Sequence, residues 1–391
     1  MKNKVIISDS VFFSNKKEKA LFYDVNTHKH VVIEKGNPFV NEFLDSLTLQ
    51  NVFTNSLEIE QNDEVNAIIK ELVGYKMVRV VPENSKDCAI PLVPILNDDL
   101  SFESNSNKKI EMVNQRDLIR YLDQVTFYLG GNGICNNILN RQISYPLASS
   151  ERLSFSKVAT FIDQCNRRGA HCLYEIVISD TTDERLLQFA KEMMPQRDQI
   201  SFVMLSTEQN VISARQLLSL GYQVVLLLDT SLDTHVLPGL SANYRIIIRG
   251  NEDLALLEKL RTTNVGVRPE LVFDGNLAFL KDQIFIDPSD FEQIKCTKKE
   301  LFIHQKINLS FWGRLFVSPE GSIYASPMRL LKIGEITDPI LTIISRELVE
   351  NTAWRKVRDC SCCTECIYQW LCPNPTALEY MISPHVICKR A

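Results

Sequence analysis

Residues 200–230 read ISFVMLSTEQNVISARQLLSLGYQVVLLLDT. Ile200–Ser206 and Gln223–Thr230 are nearly continuous apolar runs of strand length, as expected of strands buried on both faces. Val211–Leu220, between them, reads as a helix. A buried strand, a helix and a second buried strand make a crossover unit with parallel pairing. The same alternation runs outward through residues 113–295. Further strands are expected at Val125–Gly131, Cys172–Ser179, Tyr244–Gly250 and Arg268–Asp274, and further helices at Phe155–Arg168, Asp183–Met194 and Glu252–Thr262. Six such strands form an open sheet or a partial βα barrel. A complete eight-stranded barrel needs about 250 residues, more than this region offers.

The flanks differ. In residues 1–85, Val5–Phe13, Ala20–Tyr23 and His30–Glu34 read as strands. Asn37-Pro38 then opens one helix, and Asn62-Asp63 opens another, with Val65, Ile68, Ile69 and Leu72 at helical spacing. Residues 86–112, rich in Asp, Asn, Ser and Pro, read as a linker. In residues 300–391, Gly313–Val317 and Gly321–Tyr324 flank a turn at Ser318-Pro319-Glu320, and a helix is expected over Pro339–Val349.

The 391 residues carry a net charge of −5, with 45% hydrophobic and 23% charged side chains. No basic stripe points to nucleic acid, and no apolar run approaches the roughly 18 residues of a membrane span. Residues 1–10, MKNKVIISDS, hold no signal-peptide core. With eleven cysteines, an odd number, a reducing cytoplasm is the expected setting, and thiolates there remain open to metals.

Cys363, Cys366, Cys372 and Cys388 follow the spacing C-x2-C-x5-C-x15-C. Such clustering suits a metal or iron–sulfur centre; the bland alternative is a disulfide-stapled tail. Cys360 and Cys362 lie just upstream and can compete as ligands, and His385 is a minor candidate. Asp180, Asp229 and Asp274 end expected strands, where helix N-caps are the favoured reading and barrel-face catalysis the other. Cys135 is a lone thiol whose reactivity sequence does not reveal.

This order of parts resembles a radical S-adenosylmethionine peptide-modifying enzyme with a C-terminal SPASM domain. The resemblance rests on the cysteine quartet and on the phrase Phe316-Val-Ser-Pro-Glu-Gly-Ser-Ile-Tyr324. It implies one four-thiolate auxiliary centre, [4Fe–4S] favoured over zinc. That family binds its catalytic cluster through C-x3-C-x2-C after the first barrel strand. Cys135 fits the first position, but Leu139 and Gln142 stand at the next two. Neither can serve as a thiolate ligand, so no cleavage of S-adenosylmethionine is expected.

The phrase Phe127-Tyr-Leu-Gly-Gly131, with Gln142 and Tyr145-Pro146, is similar to the "GG" pseudo-radical-SAM proteins of Bacteroidales peptide-maturation systems. Residues 1–85 resemble the small winged-helix elements that recognise leader peptides. There the leader adds a strand to a sheet edge and packs on a helix. The positions this implies are His30, Val31, Val32, Ile33 and Glu34, with Ile69 and Leu72.

The expected architecture is therefore α/β: a winged-helix-like β3α unit over 1–85, a linker over 86–112, a degenerate partial (β/α)6 barrel over 113–299 and a SPASM-like cysteine-rich unit over 300–391. The expected role is that of a non-catalytic partner presenting a ribosomally made precursor peptide to a true radical SAM enzyme. Electron transfer through the retained cluster, or non-SAM chemistry in the barrel, are the alternatives.

Overall fold

The computed structural model describes residues 3–49, 57–58, 62–82, 85, 118–131, 138–179, 185–263, 266–382 and 388. The linker at 86–112 lies outside them, as do Cys135, Asp180 and His385.

The N-terminal unit holds two small sheets. One is ordered β5-β1-β6, from β1 (Asn3–Ile7), β5 (Leu57–Glu58) and β6 (Val78–Pro82); the other, β2-β3-β4, is a meander of β2 (Val11–Asn15), β3 (Lys19–Asp24) and β4 (His30–Glu34). The single strand expected over Val5–Phe13 is thus two strands in different sheets. The break falls at Ser8-Asp9-Ser10, where Val11 N–H donates to Ser8 O at 3.0 Å. The three consecutive turn-forming polar side chains there separate two apolar triplets, Val5–Ile7 and Val11–Phe13.

Helices α1 (Pro38–Leu49) and α2 (Asp63–Gly74) pack on these sheets. Asn37 Oδ1 accepts from Phe39 N–H at 2.9 Å. Asn62 Oδ1 accepts from Glu64 and Val65 N–H at 3.0 and 3.2 Å and caps α2.

The second region is built on a nine-stranded sheet. Six strands run parallel: β7 (Gln124–Tyr128), β10 (Leu173–Val177), β11 (Ile200–Leu205), β12 (Gln223–Leu228), β13 (Asn243–Ile248) and β14 (Val267–Leu271). On the other side of β7 lie β15 (Arg314–Val317), parallel to it, then β16 (Ser322–Tyr324) and β17 (Lys332–Glu335), both antiparallel. The order β14-β13-β12-β11-β10-β7-β15-β16-β17 leaves the sheet open. The expected boundary between residues 299 and 300 is crossed by this sheet, since Leu315 registers with Val125.

One face is covered by α3 (Phe155–Arg167), α4 (Arg185–Glu192), α5 (Val211–Ser219), α6 (Asn251–Thr262) and the helix Ile340–Glu350, around a single buried apolar cluster. These elements fall within a few residues of the sequence expectation. A short ribbon pairs β8 (Gly130–Gly131) with β9 (Ser149–Arg152). No helix among the described residues is long and apolar enough to cross a membrane.

Candidate metal centre and strand edge

The face of the large sheet opposite its helices carries a second buried cluster. Tyr128, Val177, Val203, Val225, Leu227, Ile247, Val272 and Phe316 form it with Leu139 and Tyr145 from the segment after the glycines. Leu139 and Tyr145 are 0% and 1% exposed. Gln142 clamps the end of β14: its Nε2 donates to Phe273 O at 2.7 Å, and its Oε1 accepts from Phe273 N–H at 2.8 Å. Both positions that depart from the cysteine motif therefore serve packing and backbone pairing.

The glycines have a structural reason too. Gly130 has φ +71°, and a Cβ there would stand 2.3 Å from Glu151 O. Only glycine relieves both constraints.

Neither described aspartate at the strand ends caps a helix, contrary to expectation. Arg249, at the end of β13, holds both. Its guanidinium meets Asp229 Oδ1 and Oδ2 at 2.7 and 2.9 Å and Asp274 Oδ2 at 2.7 Å. Tyr145 Oη also donates to Asp229 at 2.9 Å. Burial pushes the Asp229 carboxyl up, but hydrogen bonds from Arg249 and Ser231 and the Arg249 charge outweigh it and leave the carboxyl below its ordinary value. Both oxygens of Asp229 are thus taken up by this ion network. Arg249 was not singled out from the sequence; a charged residue following an apolar strand was its only signal.

The C-terminal cysteines form a separate group. Cys363, Cys366, Cys372 and Cys388 line one cavity of about 630 Å³. The distant Cys388 arrives there through a parallel bridge to Ile286. The scaffold beneath is fixed by buried polar contacts. Arg358 makes a bidentate pair with Glu379 at 2.6 and 2.9 Å and donates to Pro373 O at 2.8 Å. Asn308 Nδ2 donates to Lys356 O and Pro375 O, and Asn374 Nδ2 to His304 O. Burial pushes the Cys372 thiol up to about 12 despite the Arg358 charge, so its thiolate needs a cation for company.

A second grouping overlaps the first. The sulfurs of Cys360, Cys362 and Cys363 all lie within 4.8 Å of one another, close enough to hold one ion; among the described residues no other triple of Cys, His, Asp or Glu does so. Cys363 belongs to both groupings. Both donor sets are all thiol and range from the exposed Cys362 to the buried Cys372; as thiolates they fit a thiophilic metal.

The expected peptide-contacting residues separate into two kinds. His30–Glu34 is β4, an edge of its sheet. Asp24 N–H donates to Lys29 O and Lys35 N–H to Glu18 O. By the antiparallel alternation, Val31 and Ile33 then bond to β3, while the backbone groups of His30, Val32 and Glu34 point away from it. Ile69 and Leu72 are elsewhere: at 6% and 0% exposure they sit in the core under the sheet. The helical spacing that singled them out marks the core face of α2.

No family model matches the chain, and no curated protein matches it. Among solved structures it is similar to Streptococcus suis SuiB bound to the precursor peptide SuiA, with 9% identity, all of both chains covered and a TM-score of 0.43. SuiB bound to S-adenosylmethionine gives 9% identity over 94% of each chain and a TM-score of 0.39. BtrN in complex with AdoMet and 2-DOIA gives 11% identity over 59% of this chain and 85% of that one, with a TM-score of 0.31.

Proposed function

We propose that this chain is a non-catalytic, cytoplasmic peptide-binding partner that captures a precursor peptide and presents it to a separate radical SAM enzyme. The observation that carries the reading is the edge of β4, which no strand among the described residues covers and where the backbone groups of His30, Val32 and Glu34 face away from β3. An extended peptide adds to such an edge through main-chain hydrogen bonds, with side-chain contacts setting register. The non-catalytic half is supported by Leu139 and Gln142, which fill and brace the sheet face at positions where the resembled family carries thiolates.

Cys363, Cys366, Cys372 and Cys388 would hold one metal centre that folds the tail. A tetrahedral zinc site brings its sulfurs to about 3.8 Å apart, from Zn–S bonds of about 2.3 Å. The resemblance to the SPASM family favours [4Fe–4S] over zinc for the quartet. A single ion at Cys360, Cys362 and Cys363 is the second reading, favoured by their tighter grouping.

The test is an anaerobic incubation of the iron-loaded chain with reductant and S-adenosylmethionine, alongside titration with the precursor peptide encoded beside its gene. Saturable peptide binding without 5′-deoxyadenosine above background is the expected result. Robust 5′-deoxyadenosine formation overturns the non-catalytic reading, and absence of binding overturns the capture reading.

A further inference from the structure

The cysteine cavity has two walls, and only one carries sulfur. The other is the β2–β3 turn of the N-terminal unit, which brings Lys16, Lys17 and Lys19 to the cavity together with the Glu18 carboxylate, three cations against one anion. The turn is anchored there. Lys16 Nζ donates to Gln369 Oε1 at 3.2 Å. Behind it, Phe12, Leu21 and Tyr23 share a buried cluster with Tyr368, Leu371 and Cys372. Tyr23 Oη accepts from Cys296 N–H at 2.7 Å, and the His30 ring meets Tyr368 edge-on at 6.5 Å. Lys19 also pairs with Glu34 of β4 at 2.6 Å.

A centre held by several thiolates is a net anion, so nearby cations stabilise it and hydrogen-bonded, charged surroundings tune it. We propose that the metal centre is a joint site of both units: the Lys16–Lys19 turn is its cationic wall, and metal loading fixes β3 and β4 through the knuckle on which they pack. The inference rests on the reading that these cysteines hold a metal. Its physical core is the shared cluster. Binding of metal to 363–372 orders Tyr368 and Leu371, and these residues are the floor under Leu21, Tyr23 and Val32.

The experiment uses the full chain, loaded anaerobically with iron and sulfide or with zinc. Metal content is measured first. Metal loss to a chelator is then timed for the wild type, for Lys16→Gln/Lys17→Gln and for Lys16→Arg/Lys17→Arg. The glutamine pair should lose metal several-fold faster, and the arginine pair should restore the wild-type rate. In parallel, amide exchange of the wild type is compared with and without metal, which needs no variant. Removal should speed exchange across residues 19–34 as well as 361–372.

Exchange changes confined to 361–372, or a glutamine pair that keeps its metal as long as the wild type, overturn the joint site while leaving the metal reading standing. A wild type that retains no metal overturns the metal reading and the joint site together, and elemental analysis tells this outcome from the others.

Discussion

Arg249 illustrates how one side chain can close a site. It neutralises Asp229, which is 1% exposed, and reaches Asp274 as well. Replacing Arg249 by Met leaves a buried carboxylate without its partner and should cost about 3–5 kcal/mol in urea unfolding. The pH dependence has a definite sign. The Asp229 carboxyl is held below its ordinary value in the fold. Its stabilisation is therefore complete above an unfolded carboxylate pKa of about 3.9 and is lost as pH falls through the depressed native value. Asp229→Asn should flatten the acid limb of the stability curve relative to the wild type. Gly130 makes a second residue-scale case: Gly130→Ala meets both a positive φ and the Glu151 carbonyl and should destabilise by more than about 1 kcal/mol. A variant as stable as the wild type would show that the β8–β9 ribbon can shift freely.

Among the elements, β4 is the one whose geometry allows a clean perturbation. The Val32 N–H points away from β3, so proline there removes an outward donor without breaking the existing ladder. Val32→Pro should weaken precursor binding far more than Val32→Thr, which leaves every backbone donor in place. Equal effects would mean that side-chain packing, not strand addition, holds the peptide. The cysteine knuckle gives a second test. Cys366→Ser/Cys372→Ser should abolish the metal content of the quartet and loosen residues 19–34 together with the tail, and retention of the full metal content would show that other residues bind it.

Much of this level was legible in the sequence. The buried parallel strands declare themselves because both faces are apolar, so Ile200–Leu205 and Gln223–Leu228 lie close to their expected limits. The split between β1 and β2 carried a signal that the single-strand reading passed over: three polar turn-formers, Ser8-Asp9-Ser10, stand between two apolar triplets. The resemblance implied Ile69 and Leu72 as peptide contacts, whereas the structure buries them; a core stripe and a groove stripe share one helical period. The approach of Lys16 to Gln369 had no local signal at all, since it depends on how the N-terminal sheet packs far along the chain.

At the scale of the molecule, the N-terminal unit is not free-standing. One face of its β2-β3-β4 sheet packs on α1 and α2, and the other packs on residues 291–302 and 367–372. A fragment of residues 1–85 would expose Phe12, Leu21, Tyr23 and Val25 together, and contiguous apolar patches of this kind drive association. The fragment should aggregate, or melt well below the full chain, by light scattering and circular dichroism. A monomeric, cooperatively folded fragment would contradict this packing. The same arrangement places the open strand edge and the cysteine cavity on one connected body, while the braced sheet face lies apart from both. The central claim is capture of a peptide along β4, and amide exchange of the full chain with and without the precursor peptide tests it most directly. Slowed exchange centred on His30, Val32 and Glu34, with the residues around Leu139 and Gln142 unchanged, is the predicted result; protection of the sheet face around Leu139, with β4 unaffected, would contradict it.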